Sequence, residues 1–529
     1  MLAAFDTENK PNGEFICGAV VDKQGEKVFR RSPDLRFFLK QHSGFVFANN
    51  LFYDFGNLYS ESDFASDIFQ INSGRTVIRA GRFVALKYKG YDTMFYDLFN
   101  YLRMSIHDIG EALNYPKLPF DPGNVDYCVR DAEIAFKASQ KCIDFVESNF
   151  GIAPRPSTAS YAMAIYKTGN FEPIPRMARD MEYFKRGYFG GRTEAFYIGT
   201  APMAVYDINS AYPFAMTQDI PFGETHNIKS ADIRPTDFVD CVVDVPDCRY
   251  GLLPVKYGWS SLCFPVGRIS GRWWGIELLA ATRYGAHIIS VKNIVRYNRV
   301  GKFFKPYADY LYGLRIRYGN DPILKTFIKL ILNSFYGKLA SKLITQKIVT
   351  EQNDSEVYYD DYVFKGGSRF GLAERDYGFA KDSRVDVAGY ITAVVRSLVL
   401  SAIIAVEPYY CDTDSLFVKP GVIPDNVGLA LGAFKKEYAG DITIVGSKMY
   451  YSTDDKKIAC KGIPKDSQSQ ALRHPRKQVV MDRPETWLTA MKTGTRPNVW
   501  KRYHKTIKVG ADNRFGLSGW TEPFIYKGE

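Results

Sequence analysis

Apolar positions fall in short runs that end on acidic or turn-forming residues. LAAFDTE at 2–8 is an apolar strand closing on Asp6 and Glu8, which alternation puts on one face. FVFANNLFYDF at 45–55 is an apolar strand followed by Asn50 and Asp54 at helical spacing. A helical run spans about Asp131 to Phe150, and Tyr127 and Asp131 stand four apart on one helix face. GIAPRPSTAS at 151–160 is a punctuated connection, and YFGGRTEAFYIGTAP at 188–202 is a second break, before the strand MAVYDI. DCVVDV and AFYIG look like hairpin strands, and long helices are predicted at about 302–319 and 323–340. VEPYYCDTDSLFV at 406–418 reads as a tight β-hairpin with Asp412 and Asp414 at its bend. The most apolar run, 388–406, is interrupted by Arg396 and by Ser and Thr; the cost of Arg in lipid makes it a buried helix rather than a membrane span. This mixture, without repeats or low-complexity stretches, predicts an α/β and α+β multidomain enzyme.

Composition narrows the classes. A chain of 529 residues has room for three or four domains at roughly 150 residues each. With 46% apolar and 24% charged residues it is not a disordered chain. Eight Cys without a CxxC or a Cys/His cluster argue for free thiols and against a zinc site. The start MLAAFDTENK carries no basic leader before a long apolar core, so no signal peptide is expected. The net charge of +11 is uneven: residues 251–350 hold 16 Lys and Arg against 3 Asp and Glu, and residues 451–529 hold 16 against 8. Basic blocks beside carboxylate-rich segments suit a protein that grips a polyanion and holds metal ions.

A strand Asp-x-Glu, a helix Asp and a Tyr-x-x-x-Asp, in that order, form a set with a chemical purpose. Four carboxylates can hold two divalent metals that clamp a scissile phosphate and deprotonate a water. This set resembles the three motifs of the DEDDy 3′–5′ exonucleases that proofread for DNA polymerases. The resemblance implies that Asp6, Glu8, Asp54 and Asp131 are metal ligands and that Tyr127 orients the water. It also places Asn50 and Tyr53 on the single-stranded 3′ end, and Lys117 in KLPFD near the site. Asn9 departs from the Thr usual after the Glu.

A second carboxylate set lies further on. MAVYDINSAYP at 203–213 is a buried strand ending at Asp207, then a turn closed by Pro213; Ser210 taken alone could cap a helix. Two like charges at the DTDS bend are costly unless a cation is bound. Between them, KTFIKLILNSFYGKLA puts Lys325, Lys329, Asn333 and Tyr336 on one helix stripe beside an apolar one, an arrangement suited to a nucleotide. DINSAYP, KLILNSFYG and YCDTDS resemble motifs A, B and C of family B DNA polymerases. SKMY (Lys448, Tyr450) resembles their KxY motif, and TAVVR (Thr392 to Arg396) a palm motif before motif C. YFGG at 188–191 resembles the linker motif of the protein-primed branch found in phages and linear plasmids. Ala211 stands where motif A usually has Leu.

The resemblance implies an RNase H-like exonuclease domain over 1–180, followed by a right-hand polymerase domain over 181–529. Within the latter it implies a palm at about 195–225 and 385–451, fingers at about 301–342 and a thumb at about 452–529. Inserts at about 226–300 and 343–384 match the two terminal-protein regions. Asp207, Asp412, Asp414, Lys448 and Tyr450 would serve catalysis, with Asp207 and Asp414 on metal and Asp412 in support. Tyr212, Arg317, Lys329, Asn333 and Tyr336 would bind the dNTP, and Tyr188, Gly190 and Gly191 DNA. The implied cofactor is Mg²⁺, two ions at each site, with Mn²⁺ as a substitute. The implied partners are primer-template DNA, dNTPs, a terminal protein and a single-strand-binding protein, with no membrane. A virus- or plasmid-encoded enzyme would work in the host cytoplasm, or in an organelle if it comes from a eukaryotic linear plasmid. A family member using ordinary primers, or none, is the alternative. An RNA-synthesising relative would be expected to have a small residue in place of Tyr212, and a catalytically dead replication factor would be expected to have lost carboxylates.

Overall fold

The computed structural model describes residues 1–58, 76–79, 82–121, 123–174, 181–229, 232–257, 261–350, 362–366, 370–380, 382–475, 477–485, 499–510 and 514–526. The implied second insert and thumb lie partly outside the described residues. Two compact units emerge, each built from separated stretches of chain. The first comprises Met1–Phe171, Tyr310–Ala380 and Met481–Tyr503; the second comprises Glu172–Asp309, Lys381–Val480 and His504–Glu529.

The first unit is organised by a seven-stranded mixed sheet. Leu2–Asn9 pairs antiparallel with Phe15–Asp22 and parallel with Phe45–Ala48, which pairs parallel with Met94–Asp97. Parallel neighbours need crossover connections, and the helices Ser32–Gln41 and Leu51–Asn57 lie in those connections. The helix Val125–Phe150 starts earlier than its apolar period suggests, because the Asn124 side chain accepts the Asp126 N–H at 3.0 Å and caps it. The predicted helix pair is present as Lys305–Arg317 and Pro322–Leu339, the second capped by Asp321. Its apolar stripe is buried: Phe327 stacks on Tyr101 at 5.3 Å and meets Tyr161 edge-on at 5.7 Å. Truncating so buried a Phe typically costs about 3–5 kcal/mol.

An eight-stranded antiparallel sheet centres the second unit. The long strand Tyr197–Ile208 lies between Ser415–Val418 and Phe434–Gly446. The predicted hairpin is present, Tyr410–Thr413 pairing with Ser415–Val418. The break foreseen at 188–202 is corrected: it holds the strand Arg192–Ala195 and the start of Tyr197–Ile208. Ladders to Tyr410–Thr413 and Phe434–Gly446 impose that order from over 200 residues away, whatever the local glycines prefer. GIAPRPSTAS is likewise shorter as a connection, since Ser157 starts the helix Thr158–Thr168 with a capping box. The apolar run becomes the helix Val385–Val406, mostly buried within the protein. A four-stranded sheet, in the order Ile220–Ile228, His287–Gly301, Phe238–Val245 and Gly267–Trp274, fills most of the first insert. All eight cysteines are free thiols.

Candidate active sites

Strand alternation and one turn of helix bring the first set together. Asp6 and Glu8 leave the same face of Leu2–Asn9, and Asp131 comes from Val125–Phe150. Ligand oxygens of the three all lie within 4.8 Å of one another. Burial, then the charges of Asp54, Asp131 and Glu8, push the Asp6 carboxyl well above the usual carboxylate range. Burial pushes Glu8 up to about 7, with Lys117 pulling it down and Asp131 adding to the rise. Asp131 is also raised by burial, against the opposing pull of Lys117.

Lys117 bonds to Asp131 Oδ2 and sits over the Tyr127 ring at 4.4 Å, so it holds both groups. Asp54 stands outside the 4.8 Å trio. Its Oδ1 accepts the Thr7 N–H at 3.1 Å and the Thr7 hydroxyl at 2.9 Å, and Asn57 donates to that hydroxyl at 3.1 Å. Burial nevertheless raises Asp54 well above its ordinary value. Burial also raises Tyr53, up to about 12, with Asp54, Glu8 and Asp6 adding to the rise. Asn50 adopts the left-handed region at φ 75°, and its N–H donates to Asp97 at 2.9 Å.

Two oxygens of the trio, Asp6 Oδ2 and Asp131 Oδ1, are buried without a hydrogen-bond partner. An all-carboxylate donor set with orphaned oxygens fits a hard divalent cation such as Mg²⁺ or Mn²⁺.

The second set is built differently. Asp207 sits near the end of Tyr197–Ile208, directly opposite Ser415, whose hydroxyl donates to Asp207 Oδ1. Asp412 pairs with Ser415 across a two-residue bend made by Thr413, at φ 64°, and Asp414. The Asp414 carbonyl accepts the Ile208 N–H at 3.0 Å, locking the bend against the Asp207 strand. Asp412 is already engaged: Lys448 Nζ lies 3.0 Å from Oδ1, the Thr193 hydroxyl donates at 3.1 Å, and Tyr410 approaches Oδ2 at 3.4 Å. The Lys448 N–H donates to the Tyr410 hydroxyl at 2.9 Å, and Tyr450 packs on Tyr410 and Phe417. Among the described residues Asp207, Asp412 and Asp414 form no trio as tight as the first. Thr193 escapes sequence reasoning, since nothing local marks it, whereas Tyr410 is the Tyr of YCDTDS, whose contact to Asp412 the motif alone does not give.

YFGG is held from beneath. The buried Arg396 donates to the carbonyls of Phe189 at 2.6 Å and Gly190 at 2.9 Å, and its Nε bonds Glu277 at 2.8 Å. A Cβ on Gly191 would meet Thr413 Cγ2 at 2.6 Å and the Tyr212 hydroxyl at 3.0 Å, so only glycine fits without a shift. Ser210 precedes the helix Ala211–Met216 but, at φ 52°, makes no side-chain cap bond. Burial raises Tyr188.

Lys329, Asn333 and Tyr336 do share the solvent-side stripe of Pro322–Leu339, with Lys329 exposed and Asn333 Oδ1 buried without a partner. They and the exposed Arg317 belong to the first unit, whereas Asp207, Asp412 and Asp414 belong to the second.

Residues 114–366 match the family model described as DNA polymerase type B, organellar and viral. A polymerase of Enterobacteria phage PRD1 is 31% identical over 303 residues, covering 53% of each chain. Residues 114–366 are thus similar to type B DNA polymerases of the organellar and viral kind. A DNA polymerase of Bacillus phage phi29 is 24% identical over 389 residues, covering 65% of this chain and 64% of that protein. A probable DNA polymerase of Ascobolus immersus is 27% identical over 326 residues, 57% of this chain but 27% of the relative. The matched region thus spans about half of the PRD1 protein and about a quarter of the fungal one. In fold the likeness is wider. A solved phi29 DNA polymerase with primer-template DNA superposes with a TM-score of 0.73 at 18% identity, over 96% of this chain and 99% of that one. The chain therefore has the mixed α/β fold of that type B polymerase.

Proposed function

We propose that the chain is a DNA-directed DNA polymerase with a 3′–5′ proofreading exonuclease, which replicates a viral or plasmid genome in the host cytoplasm. In this reading it starts synthesis on a terminal protein and displaces strands as it copies. The exonuclease occupies 1–180 and the polymerase 181–529. The observation that carries the polymerase reading is the DTDS hairpin locked against the Asp207 strand, with Lys448 on Asp412.

At the polymerase site Asp207 and Asp414 would hold Mg²⁺, which supplies Lewis-acid activation of a primer 3′-hydroxyl and neutralises pyrophosphate. Asp412, compensated by Lys448, orients the bend rather than carrying free charge into it. Tyr212, whose phenol lies near Gly191, would pack under an incoming sugar and exclude a 2′-hydroxyl. Lys329 and Arg317 would bind a triphosphate, and Asn333 and Tyr336 would sit by the nascent pair, as the resemblance implies. At the other site Asp6, Glu8 and Asp131, with Asp54 beside them, would hold the metal, and Tyr127, fixed by Lys117, would orient water toward a phosphodiester. Asn50 and Tyr53 would meet the single strand, and Tyr188, Gly190 and Gly191 would contact DNA. The YFGG linker and the four-stranded sheet in the first insert support protein priming.

The test is direct. The purified chain with Mg²⁺ and dNTPs should extend a labelled primer-template and shorten a labelled single strand from its 3′ end. Incubated with products of neighbouring genes and one labelled dNTP, it should attach a dNMP covalently to one of them. Extension without any such attachment would favour an ordinary primer, and no extension would reject the polymerase reading.

A further inference from the structure

Five neighbouring strands of the eight-stranded sheet carry a row of directly opposed residues. Thr193 lies opposite Asp412, Asp412 opposite Ser415, Ser415 opposite Asp207, and Asp207 opposite Lys435. Opposed residues share a face of the sheet, and neighbouring strands lie about 4.8 Å apart. Hydrogen bonds along the row follow that rule: Thr193 donates to Asp412 at 3.1 Å, and Ser415 donates to Asp207. The row therefore ends on a lysine, one strand beyond Asp207, contributed by Phe434–Gly446.

The backbone around Lys435 is tied to the turn that follows Asp207. The Asn209 N–H donates to Ala433 O and the Gly432 N–H to Asn209 O, both at 2.9 Å. Phe434 is buried, and its N–H donates to Asn426 O at 2.9 Å. Lys435 itself is exposed and makes no ion pair among the described residues. Nearby cations are already engaged: Lys448 lies on Asp412 at 3.0 Å and Lys457 on Glu437 at 2.5 Å.

An unpaired ammonium at that place has a use in nucleotide transfer. The Tyr212 phenol lies near Gly191, beside the strand Arg192–Ala195, on the opposite flank of Asp207 from Lys435. A nucleotide with its sugar on that flank and its α-phosphate over Asp207 extends its β- and γ-phosphates toward Lys435. Attack by the primer 3′-oxygen forms a bond to the α-phosphorus and breaks the bond to the bridging oxygen. The departing pyrophosphate keeps that electron pair, and the hydroxyl proton passes to water. Charge thus grows on the Lys435 side, where an ammonium offers three N–H donors to phosphate oxygens.

We propose that Lys435 is a pyrophosphate-binding residue: it holds the β- and γ-phosphates of the incoming dNTP and the pyrophosphate formed from them. This rests on the polymerase reading. Lys435 neither gives nor takes the proton.

The experiment uses the full chain and its Lys435→Ala, Lys435→Arg and Lys436→Ala variants. Lys436 is equally exposed but opposes Tyr206, so strand alternation turns it away from the row. Pyrophosphate binding is titrated by calorimetry in Ca²⁺ without primer, so no turnover is needed. In Lys435→Ala the KM for dNTP and the Kd for pyrophosphate should both rise on the order of tenfold, with kcat little changed. Lys435→Arg should recover most of both, and Lys436→Ala should match the unaltered chain. Affinity for primer-template, read by fluorescence anisotropy, should be the same in all four. Equal losses in Lys435→Ala and Lys436→Ala would reduce the effect to net charge and overturn the proposal. So would weaker primer-template binding with pyrophosphate binding intact, which would make Lys435 a DNA contact. Unchanged KM and unchanged pyrophosphate binding would overturn it as well. Absence of incorporation by the unaltered chain would reject the polymerase reading separately, while the titration in Ca²⁺ would still decide the phosphate contact.

Discussion

Both carboxylate sets gather three or more acids from strands and neighbouring elements, yet they handle the charge in opposite ways. Asp6, Glu8 and Asp131 are crowded within 4.8 Å, with burial raising all three carboxyls. Asp207, Asp412 and Asp414 are spread around a hairpin bend, partly open to solvent, with Asp412 matched by Lys448 at 3.0 Å. The first site crowds like charge that a bound cation would relieve; the second neutralises one member in advance and, in the proposed reading, leaves the others for metal. A proofreading site must bind its metals and its single strand within a closed cleft, whereas a polymerase site admits a new metal-bound nucleotide each cycle. The difference in charge handling suits that division.

The sharpest way to break the contrast is to remove one acid from each set. Asp6→Asn should lower 3′–5′ digestion by about a thousandfold or more, the scale of losing a principal electrostatic group. It should at the same time raise the metal-free melting temperature at pH 8, because a buried, repelled charge is gone. Asp412→Asn should raise no melting temperature, since it strips Lys448 of its partner. A stabilised Asp412→Asn, or a destabilised Asp6→Asn, in differential scanning calorimetry would erase the distinction.

A smaller effect is expected at Lys448. Lys448→Met should reduce nucleotide incorporation by several- to about tenfold while digestion continues, the scale of losing one half-exposed charge-assisted bond. Equal losses in both assays would place Lys448 outside the polymerase site.

The pH response comes next. A folded carboxyl raised from its ordinary value to about 7, as Glu8 is, contributes stability present below the ordinary value and lost as pH rises through about 7. The metal-free chain should therefore melt at progressively lower temperature between pH 5 and 8, and Mn²⁺ should recover more of that loss at pH 8 than at pH 6. Mn²⁺ binding, read by calorimetry in buffers of different ionisation heat, should release protons near pH 7. A flat melting profile with no proton release would contradict the crowded-acid description. The smallest effect is expected for Gly191→Ala, a new methyl against Thr413 at 2.6 Å, which should cost about 1–3 kcal/mol locally and slow incorporation severalfold.

Much of this was legible in the chain itself. The alternation of LAAFDTE puts Asp6 and Glu8 on one face, and apolar residues flanking DTDS leave a hairpin as the economical reading; both are local patterns. The stripe of Lys325, Lys329, Asn333 and Tyr336 was visible for the same reason, since the buried positions of Pro322–Leu339 follow the helical period. What escaped are pairings that local pattern does not encode. Thr7 takes Asp54 from 47 residues away, Thr193 reaches Asp412 from 219, and Arg396 grips Gly190 from 206. The strand Arg192–Ala195 hid in a glycine-rich stretch because its order comes from its ladder to Tyr410–Thr413.

The central claim is that the two sets run separate reactions, and one gel tests it. Asp414→Ala and the double variant Asp6→Ala, Glu8→Ala are each given Mg²⁺, dNTPs and a 5′-labelled primer with a mismatched 3′ end on a template. Asp414→Ala should shorten the primer and never extend it; the double variant should never shorten it and should extend only a matched control. Extension by Asp414→Ala, or undiminished shortening by the double variant, would contradict the assignment of polymerase and exonuclease to these two sets of acids.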